Sequence, residues 1–123
     1  MGILGKLFGS TPKKQPTHLT DANFLAEVTN SPLPVIIDVW GSSCAPCKQL
    51  EPVMMELAGV YDGKIRVCEM NAESAPRSCA RLQIRGTPTV VYLRGGKELD
   101  RVVGFRSSLY HHQAVEELFQ ITR

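Results

Sequence analysis

The strongest pattern along the chain is the nearly unbroken apolar run VIIDVW, residues 35–40. A run of this kind is typical of a strand that is covered on both faces of a sheet. Four other segments carry the alternation or the apolar content of strands: His18-Leu19, 64–70, 89–94 and 98–103, the last two joined by a Gly95-Gly96 hairpin turn. The pattern therefore predicts five strands.

The longest helical pattern follows the central strand and runs from about Cys44 to Tyr61. Pro46 falls in its first turn, where the missing N–H is not needed. Pro52 falls inside the helix and is expected to kink it. Strand 35–40 and this helix therefore form one strand-to-helix unit, with the first cysteine at the junction.

Three shorter helices are predicted in the rest of the chain. The first is capped by Thr20 or Asp21 and turns Phe24, Leu25 and Val28 inward. The second spans residues 74–82. The last is capped by Ser107 or Ser108 and ends near Ile121. The resulting order is β-α-β-α-β-α-β-β-α. It predicts an α/β protein with a mixed sheet and helices on both faces.

The composition is that of one globular domain: 123 residues, 43% apolar and 21% charged. The 14 basic and 12 acidic residues leave a net charge of +2, which argues against nucleic acid as a partner. No stretch reaches the roughly 18–20 apolar residues of a membrane span. The start MGILGKLFGS has one lysine and a broken apolar stretch, and it lacks the basic start, the apolar core and the cleavage site of a secretory signal. We therefore expect a cytoplasmic protein, and a monomer by default.

Residues 1–16 differ from the rest of the chain because they end in the polar, proline-flanked segment STPKKQP. We expect a flexible N-terminal extension or linker there, followed by one domain over residues 17–123. The alternative is a short helix that docks on a membrane surface or a partner through Ile3, Leu4, Leu7 and Phe8. About two turns of helix are marginal alone, which favours the extension.

Cys44 and Cys47 stand three residues apart at the predicted start of a helix, so their side chains share one face. The free N–H groups and the dipole of a helix N-terminus favour a thiolate, and such sites lower a cysteine pKa from about 8.5 to roughly 3.5–7.5. The thiolate is the species that attacks disulfides. We therefore expect Cys44 to attack a target disulfide and Cys47, one turn deeper, to resolve the mixed disulfide. Pro46 stiffens the link between them.

Asp38 lies in the middle of the central strand, where an unpaired charge is costly. A buried carboxyl either has a partner or has a raised pKa. Six residues before Cys44, Asp38 could accept the proton that Cys47 must lose before it attacks. The alternative is a structural carboxylate satisfied by backbone or lysine partners, and position alone leaves both open.

Pro88 stands immediately before an apolar strand in RGTPTVVYL. With the cysteine pair and Asp38, it makes the chain from about Thr17 to the C-terminus resemble the thioredoxin family. The likeness is carried by HLTDANF, by IIDVW with Asp38 and Trp40, by Cys44-Ala45-Pro46-Cys47-Lys48 with Pro52 downstream, by Gly86-Thr87-Pro88-Thr89, and by Gly104.

This resemblance implies the thioredoxin fold, a central mixed five-stranded sheet flanked by four helices in three α/β/α layers. It implies a protein-disulfide reductase that works by dithiol–disulfide exchange. Such a protein needs no metal and no cofactor besides its own cysteine pair, and a thioredoxin-reductase-like donor supplies its electrons.

The resemblance also assigns roles to single residues. Asp38 becomes the buried proton acceptor, and Pro88 is expected to be cis and to pack against the disulfide. Thr87 is expected to offer its backbone to an extended substrate segment. The expected substrate surface comprises Trp40, Ser43, Ala45, Pro46, Thr87, Pro88 and Gly104.

Three positions depart from the family pattern. Ser43 stands where thioredoxins usually have a tryptophan that meets partners, so substrate choice should change, and its hydroxyl could hydrogen-bond near the Cys44 sulfur. Ala45 replaces the usual glycine between the cysteines. Glu69 stands where a lysine is common. If Glu69 points inward, it should raise the Asp38 pKa further; if outward, it is an ordinary surface charge.

Cys68 and Cys79 are expected to be small buried hydrophobic residues, although either could be a regulatory thiol. A zinc or iron–sulfur site would need a second close pair of ligands near the cysteine pair. His111-His112 are adjacent on a helix, so their rings point in different directions. A metal-binding domain is therefore the least favoured interpretation. A specialised interaction or redox-sensing module remains the main alternative to a reductase.

Overall fold

The computed structural model of the chain describes residues 11–123. Its five strands are β1 (Thr17–Leu19), β2 (Val35–Trp40), β3 (Arg66–Asn71), β4 (Thr89–Arg94) and β5 (Lys97–Val103). They form one sheet in the order β1-β3-β2-β4-β5. β1, β3 and β2 are parallel, whereas β4 is antiparallel to β2 and β5 is antiparallel to β4. The mixed five-stranded sheet expected from the sequence is therefore confirmed.

Four helices cover the sheet. They are α1 (Leu25–Thr29), α2 (Ala45–Val60), α3 (Pro76–Leu82) and α4 (Ser108–Phe119). Side chains of α2 and α4 form one apolar core with one face of the sheet, and side chains around α1 and α3 form a second core with the other face. The three-layer α/β/α arrangement is thus confirmed, with Pro52 inside α2.

The central strand β2 alternates between these two cores. Ile36 packs in the α2/α4 core, whereas Ile37 and Val39 pack in the α1/α3 core. Because side chains alternate along a strand, Asp38 points to the same face as Ile36, towards α2. The apolar run therefore corresponds to a strand that is buried on both faces. The carboxyl of Asp38 lies beneath the helix that carries the cysteines.

The first helix differs from its prediction. The expectation that Leu25 points inward is wrong, because its side chain is 55% exposed. The reason is the width of the turn: the N–H of Asn30 donates to the carbonyl of Leu25, an i→i+5 bond of 2.9 Å. This wider turn keeps Phe24 and Val28 against the sheet and leaves Leu25 in solvent.

Thr20 and Asp21, the two residues predicted as alternative caps of the first helix, make different contacts. The hydroxyl of Thr20 accepts a hydrogen bond from the N–H of Asn23 in the turn before α1. Asp21 instead accepts from the N–H groups of Arg77 and Ser78 at the start of α3. A carboxylate at a helix N-terminus satisfies free N–H groups, so Asp21 fixes α3 to the segment that follows β1.

Residues 11–16, the described part of the predicted extension, lie against α2. The N–H of Lys14 donates to the carbonyl of Met55 at 3.1 Å, and the Lys14 ammonium contacts Asp62 at 2.7 Å. Gly59 permits this approach, since a Cβ atom there would lie 2.4 Å from the carbonyl oxygen of Pro12. The apolar positions of the alternative docking helix, Ile3, Leu4, Leu7 and Phe8, lie outside the described residues. The division after residue 16 stays a prediction.

Candidate active site

Cys44 and Cys47 form a disulfide at the start of α2, with their Cα atoms 5.3 Å apart. Cys44 is the residue just before the helix, in an extended conformation, and its Sγ atom accepts a hydrogen bond from the N–H of Cys47 at 3.3 Å. Cys47 is only 3% exposed, whereas Cys44 is partly exposed. The pair therefore has one sulfur at the surface and one beneath it.

The helix N-terminus gives this surface sulfur an electropositive environment. The N–H groups of the first turn have no partners within the helix, and the helix dipole places partial positive charge there. Both effects stabilise a thiolate relative to a thiol, and a thiolate is the attacking species in disulfide exchange. The arrangement suits Cys44 for attack on an incoming disulfide.

The loop before β4 closes one side of the pair. The Thr87–Pro88 peptide bond is cis, as the resemblance implied. The Thr87 hydroxyl lies 4.0 Å from the Cys44 sulfur. On the far side of the loop, the N–H of Gly104 donates to the carbonyl of Pro88 at 2.8 Å. The structure thus places Thr87 beside Cys44 and joins Gly104 to the adjacent Pro88.

Two residues that support the surroundings of the pair were missed by sequence reasoning. A Cβ atom at Gly41 would lie 3.0 Å from the Thr87 hydroxyl, so the absence of a side chain there lets Thr87 approach Cys44. Glu73 accepts a hydrogen bond from the N–H of Ser42 at 3.2 Å and holds the segment before the cysteines. A glycine directly after a strand was the only available signal; Glu73 acts across 31 positions of the chain.

Asp38 is buried behind the disulfide helix, with 3% of its surface exposed. Burial raises the pKa of Asp38 from 3.8 to about 7, with further contributions from the charges of Glu69 and Glu51. Within residues 11–123, its Oδ1 atom has no hydrogen-bond partner. No described lysine or backbone group forms a hydrogen bond with that oxygen. A carboxyl that titrates near neutrality is suited to proton transfer.

Glu69 lies next to Asp38 on β3 and points to the same face, because the two residues are register partners in parallel strands. One Glu69 oxygen accepts a hydrogen bond from the indole N–H of Trp40 at 2.6 Å, and the other lies 2.6 Å from Nδ1 of His18. Of the two orientations considered for Glu69, the structure has the one that raises the Asp38 pKa. Trp40 thus lies beside the site with a polar contact of its own.

Comparison with known proteins identifies the family. The thioredoxin family model matches residues 15–116. Thioredoxin 1 of Nostoc sp. is 40% identical over 87 residues, which cover 71% of this chain and 81% of that protein. Thioredoxin 2 of Chlorobaculum tepidum is 41% identical over 85 residues, which cover 69% and 78% of the two chains.

The chain belongs to the thioredoxin family. Its disulfide-forming pair and these relatives make it a thiol–disulfide oxidoreductase, a protein-disulfide reductase of the thioredoxin type. The resemblance stated from the sequence is confirmed, and so is the predicted activity. The specialised interaction module is not favoured.

The thioredoxin-family surface around the pair is open at three predicted positions. Ser43, Ala45 and Pro46 are all exposed. Ser43 has φ of 55°, in the left-handed region, which turns the chain into the helix. Within the described residues its hydroxyl forms no hydrogen bond to the Cys44 sulfur, so the contact considered from the sequence is absent in the disulfide form.

The other two cysteines of this thioredoxin domain are free. Cys68 is fully buried in the α1/α3 core, and burial raises the pKa of its thiol to about 12. Cys79 is partly buried, and burial raises its pKa as well. Both are therefore poor nucleophiles, in line with the expected role as small core residues.

Two other kinds of feature are absent from residues 11–123. No group of three or more histidine, cysteine, aspartate or glutamate side chains in that range could hold a metal ion. No helix in the same range is long and apolar enough to cross a membrane.

Proposed function

We propose that the chain reduces disulfides of target proteins in two exchange steps. The Cys44 thiolate attacks one sulfur of the target disulfide, forms a mixed disulfide and releases the other target sulfur as a thiolate. The Cys47 thiol then loses its proton and attacks the Cys44 sulfur. The bond to the target breaks, the second target sulfur leaves with the electron pair, and the Cys44–Cys47 disulfide forms. The observation that carries this assignment is the partly exposed Cys44 above the buried Cys47 at a helix N-terminus.

Asp38 takes the proton of Cys47 in the second step. It is buried on the side of β2 that faces α2, and its pKa of about 7 lets it act as a base near neutrality. Its Oδ1 atom has no hydrogen-bond partner among the described residues and can accept from a water that would connect the carboxyl to the thiol.

The target segment binds across the rim of the pair. Thr87 offers backbone groups to an extended segment, in the manner of strand addition. The short distance from Thr87 to Cys44 and the bond between Gly104 and Pro88 support this role. The rest of the proposed contact surface consists of Trp40, Ser43, Ala45 and Pro46.

The cellular setting follows from the same chemistry. After each cycle the disulfide must be reduced again, so a thioredoxin-reductase-like donor has to supply two electrons. We place the protein in the cytoplasm, acting as a monomer in electron transport to protein disulfides and in redox homeostasis. Residues 1–16 form the extension that precedes this domain.

The test uses serine variants of each cysteine with a protein disulfide substrate. Cys44→Ser should abolish turnover, because the attacking sulfur is gone. Cys47→Ser should accumulate a mixed disulfide with the substrate that a thiol reagent releases. The matched controls Cys68→Ser and Cys79→Ser should keep turnover. Turnover that survives in Cys44→Ser would overturn the assignment.

A further inference from the structure

Three side chains on neighbouring strands form a row that ends at Asp38. His18 on β1 is the register partner of Glu69 on β3, and Glu69 is the register partner of Asp38 on β2. Register partners in parallel strands lie about 4.8 Å apart and point to the same face. The row therefore leads from a buried carboxyl, through a half-buried carboxylate, to a histidine whose side chain is 58% exposed.

The middle member of this row is held on both sides. The indole N–H of Trp40 donates to Oε1 of Glu69 at 2.6 Å, and Nδ1 of His18 lies 2.6 Å from Oε2. Both carboxylate oxygens are thus engaged, which fixes the negative charge at one place beside Asp38. A freely rotating surface glutamate would not have a constant effect on its neighbour.

A pocket of about 250 Å³ joins Asp38 to the solvent at this point. It is lined by Asp38, Trp40, Glu69, Glu51, Met54, Met55, Gln15 and Pro16. The orphaned Oδ1 atom belongs to the carboxyl at the inner end of this lining. The pocket therefore offers a route by which Asp38 can exchange its proton with solvent.

We propose that Glu69 is a positioning residue for the thiol chemistry, and that the Glu69–His18 pair sets the pH range in which Asp38 accepts the proton of Cys47. This inference rests on the disulfide reduction proposed above. The fixed charge of Glu69 makes Asp38 a better proton acceptor and a worse acid. His18, whose Nδ1 atom lies 2.6 Å from Oε2 of Glu69, holds that charge in place.

The other groups around Asp38 act in ways that do not replace this pair. Around the carboxyl lie Glu51 from α2, the apolar Val90 from β4, and the uncharged Gln15 and Pro16 from the segment before β1. Glu51 raises the Asp38 pKa less than Glu69 does. No described lysine or arginine lines the pocket, and the basic side chain in contact with Glu69 is His18.

In the resolving step, the Cys47 thiol gives its proton to the Asp38 carboxylate. The resulting thiolate attacks the Cys44 sulfur, and the target sulfur leaves as a thiolate with the electron pair. Asp38, now protonated, returns its proton to water through the pocket. The pH at which this step becomes fast therefore reports the ionisation of the Asp38–Cys47 pair.

The experiment measures this step by itself in single turnovers. Reduced protein is mixed with less than one equivalent of a symmetrical aryl disulfide whose thiolate product is coloured. The first release of colour reports attack by Cys44, and the second reports attack by Cys47. The rate of the second release is recorded across pH for the parent, Glu69→Gln, His18→Asn and the surface control Glu117→Gln.

Both variants should lower the pH midpoint of the second release, Glu69→Gln by more than His18→Asn. Glu69→Gln keeps the amide oxygen as an acceptor for Trp40 but removes the charge, so the midpoint should fall by about one pH unit. His18→Asn removes the ring nitrogen that holds Oε2, so the Glu69 charge is less fixed and the midpoint should fall by a smaller amount. Glu117 is exposed on α4, and Glu117→Gln should leave the midpoint unchanged.

Each failure has a separate meaning. If the parent shows a first release of colour and no second, the proposed two-step reduction fails. If the parent releases both thiolates but Glu69→Gln keeps the parental midpoint, the role of Glu69 is overturned. A change in rate without a change in midpoint would mean that Glu69 and His18 only support the structure, and would also overturn the inference.

Discussion

The backbone N–H of Cys47 donates a hydrogen bond to the sulfur of Cys44, 3.3 Å away across the first turn of α2. Cys44 thus occupies the position of a helix N-cap, where serine or aspartate usually satisfies a free N–H group. A sulfur in this position gains most when it is ionised, because a thiolate is a stronger acceptor than a thiol and lies at the positive end of the dipole.

From this contact we expect Cys44 in the reduced protein to be alkylated at a pH where ordinary thiols are protonated. The measurement is the rate of reaction with iodoacetamide against pH, with the modified cysteine identified by mass spectrometry. Cys44 should reach half of its maximal rate below about pH 8.5, the ordinary value for cysteine. Cys79, whose pKa is raised by burial, is the internal comparison and should react at higher pH. Equal profiles for both thiols would contradict the role of the helix N-terminus.

A redox titration distinguishes a reductant from an oxidant or a sensor. The protein is equilibrated in graded thiol–disulfide buffers, its free thiols are alkylated, and they are counted by mass at each potential. We expect one disulfide, between Cys44 and Cys47, that forms at a strongly reducing potential. The variant that carries Cys68→Ser and Cys79→Ser together should give the same curve, because neither thiol is part of the pair.

Other outcomes of that titration have defined meanings. A pair that oxidises only at a much higher potential would indicate an oxidant or a sensor. Disulfide formation between Cys68 and Cys79 instead would remove the basis of the assignment. If the pair oxidises at the expected reducing potential, Ser43, which is exposed beside it, is the first position to test for altered partner choice.

The central strand, the cysteine pair and the loop before β4 could all be predicted because each is a local pattern. An apolar run, a Cys-x-x-Cys at a helix start and a proline before a strand are visible within a few residues. Their arrangement around one site followed from the family resemblance. The boundaries of β2 and β4 agree with the prediction because strong local signals mark both ends.

The contacts of Glu69 could not be predicted in the same way. Its bond to His18 joins positions 51 residues apart and depends on the register of β1 against β3, which no local pattern encodes. The same holds for Asp21, whose bond to Ser78 at the start of α3 spans 57 positions. The prediction that Leu25 points inward was wrong for a different reason: a helical periodicity of about 3.6 residues does not describe a π-helical turn.

Asp38→Asn should stabilise the folded protein at neutral and alkaline pH. The pKa of Asp38 is raised to about 7 in the folded state from an ordinary 3.8, so the unfolded chain loses its proton first as the pH rises. The contribution of Asp38 to stability is therefore fully present below pH 3.8 and is lost between there and about pH 7. Each pH unit between the two pKa values is worth about 1.4 kcal/mol, so the cost is on the order of 4 kcal/mol.

Part of that gain is lost because the buried amide introduced by Asp38→Asn brings N–H groups without partners. We therefore expect an increase of about 2 kcal/mol in the free energy of unfolding at about pH 8. Urea denaturation across pH measures it. The increase should shrink towards pH 3.8, where Asp38 becomes protonated in both states. A constant difference across pH would show that the effect is one of packing and not of charge.

His111 should act on stability in the opposite direction. It is fully buried on α4, its Nδ1 atom shares a hydrogen bond with the hydroxyl of Tyr92, and burial lowers its pKa from 6.5 to about 4. As the pH falls below 6.5, the unfolded chain binds a proton that the folded protein cannot accept. This group therefore contributes stability above pH 6.5 that is lost on the way down to about pH 4. The loss amounts to roughly 3 kcal/mol.

The opposing effects of Asp38 and His111 nearly cancel between about pH 4 and pH 6.5, where each contributes about 1.4 kcal/mol per pH unit with opposite sign. We therefore expect His111→Gln to lose stability as the pH rises through this range, and Asp38→Asn to gain it. The double variant should lose both contributions. Tyr92→Phe is the matched control, because it removes the hydrogen bond and leaves His111 titratable, so its pH dependence should keep the slope of the parent. A slope in His111→Gln equal to that of the parent would mean that the buried histidine is protonated in the folded protein, and that Asp38 alone governs the pH dependence in this range.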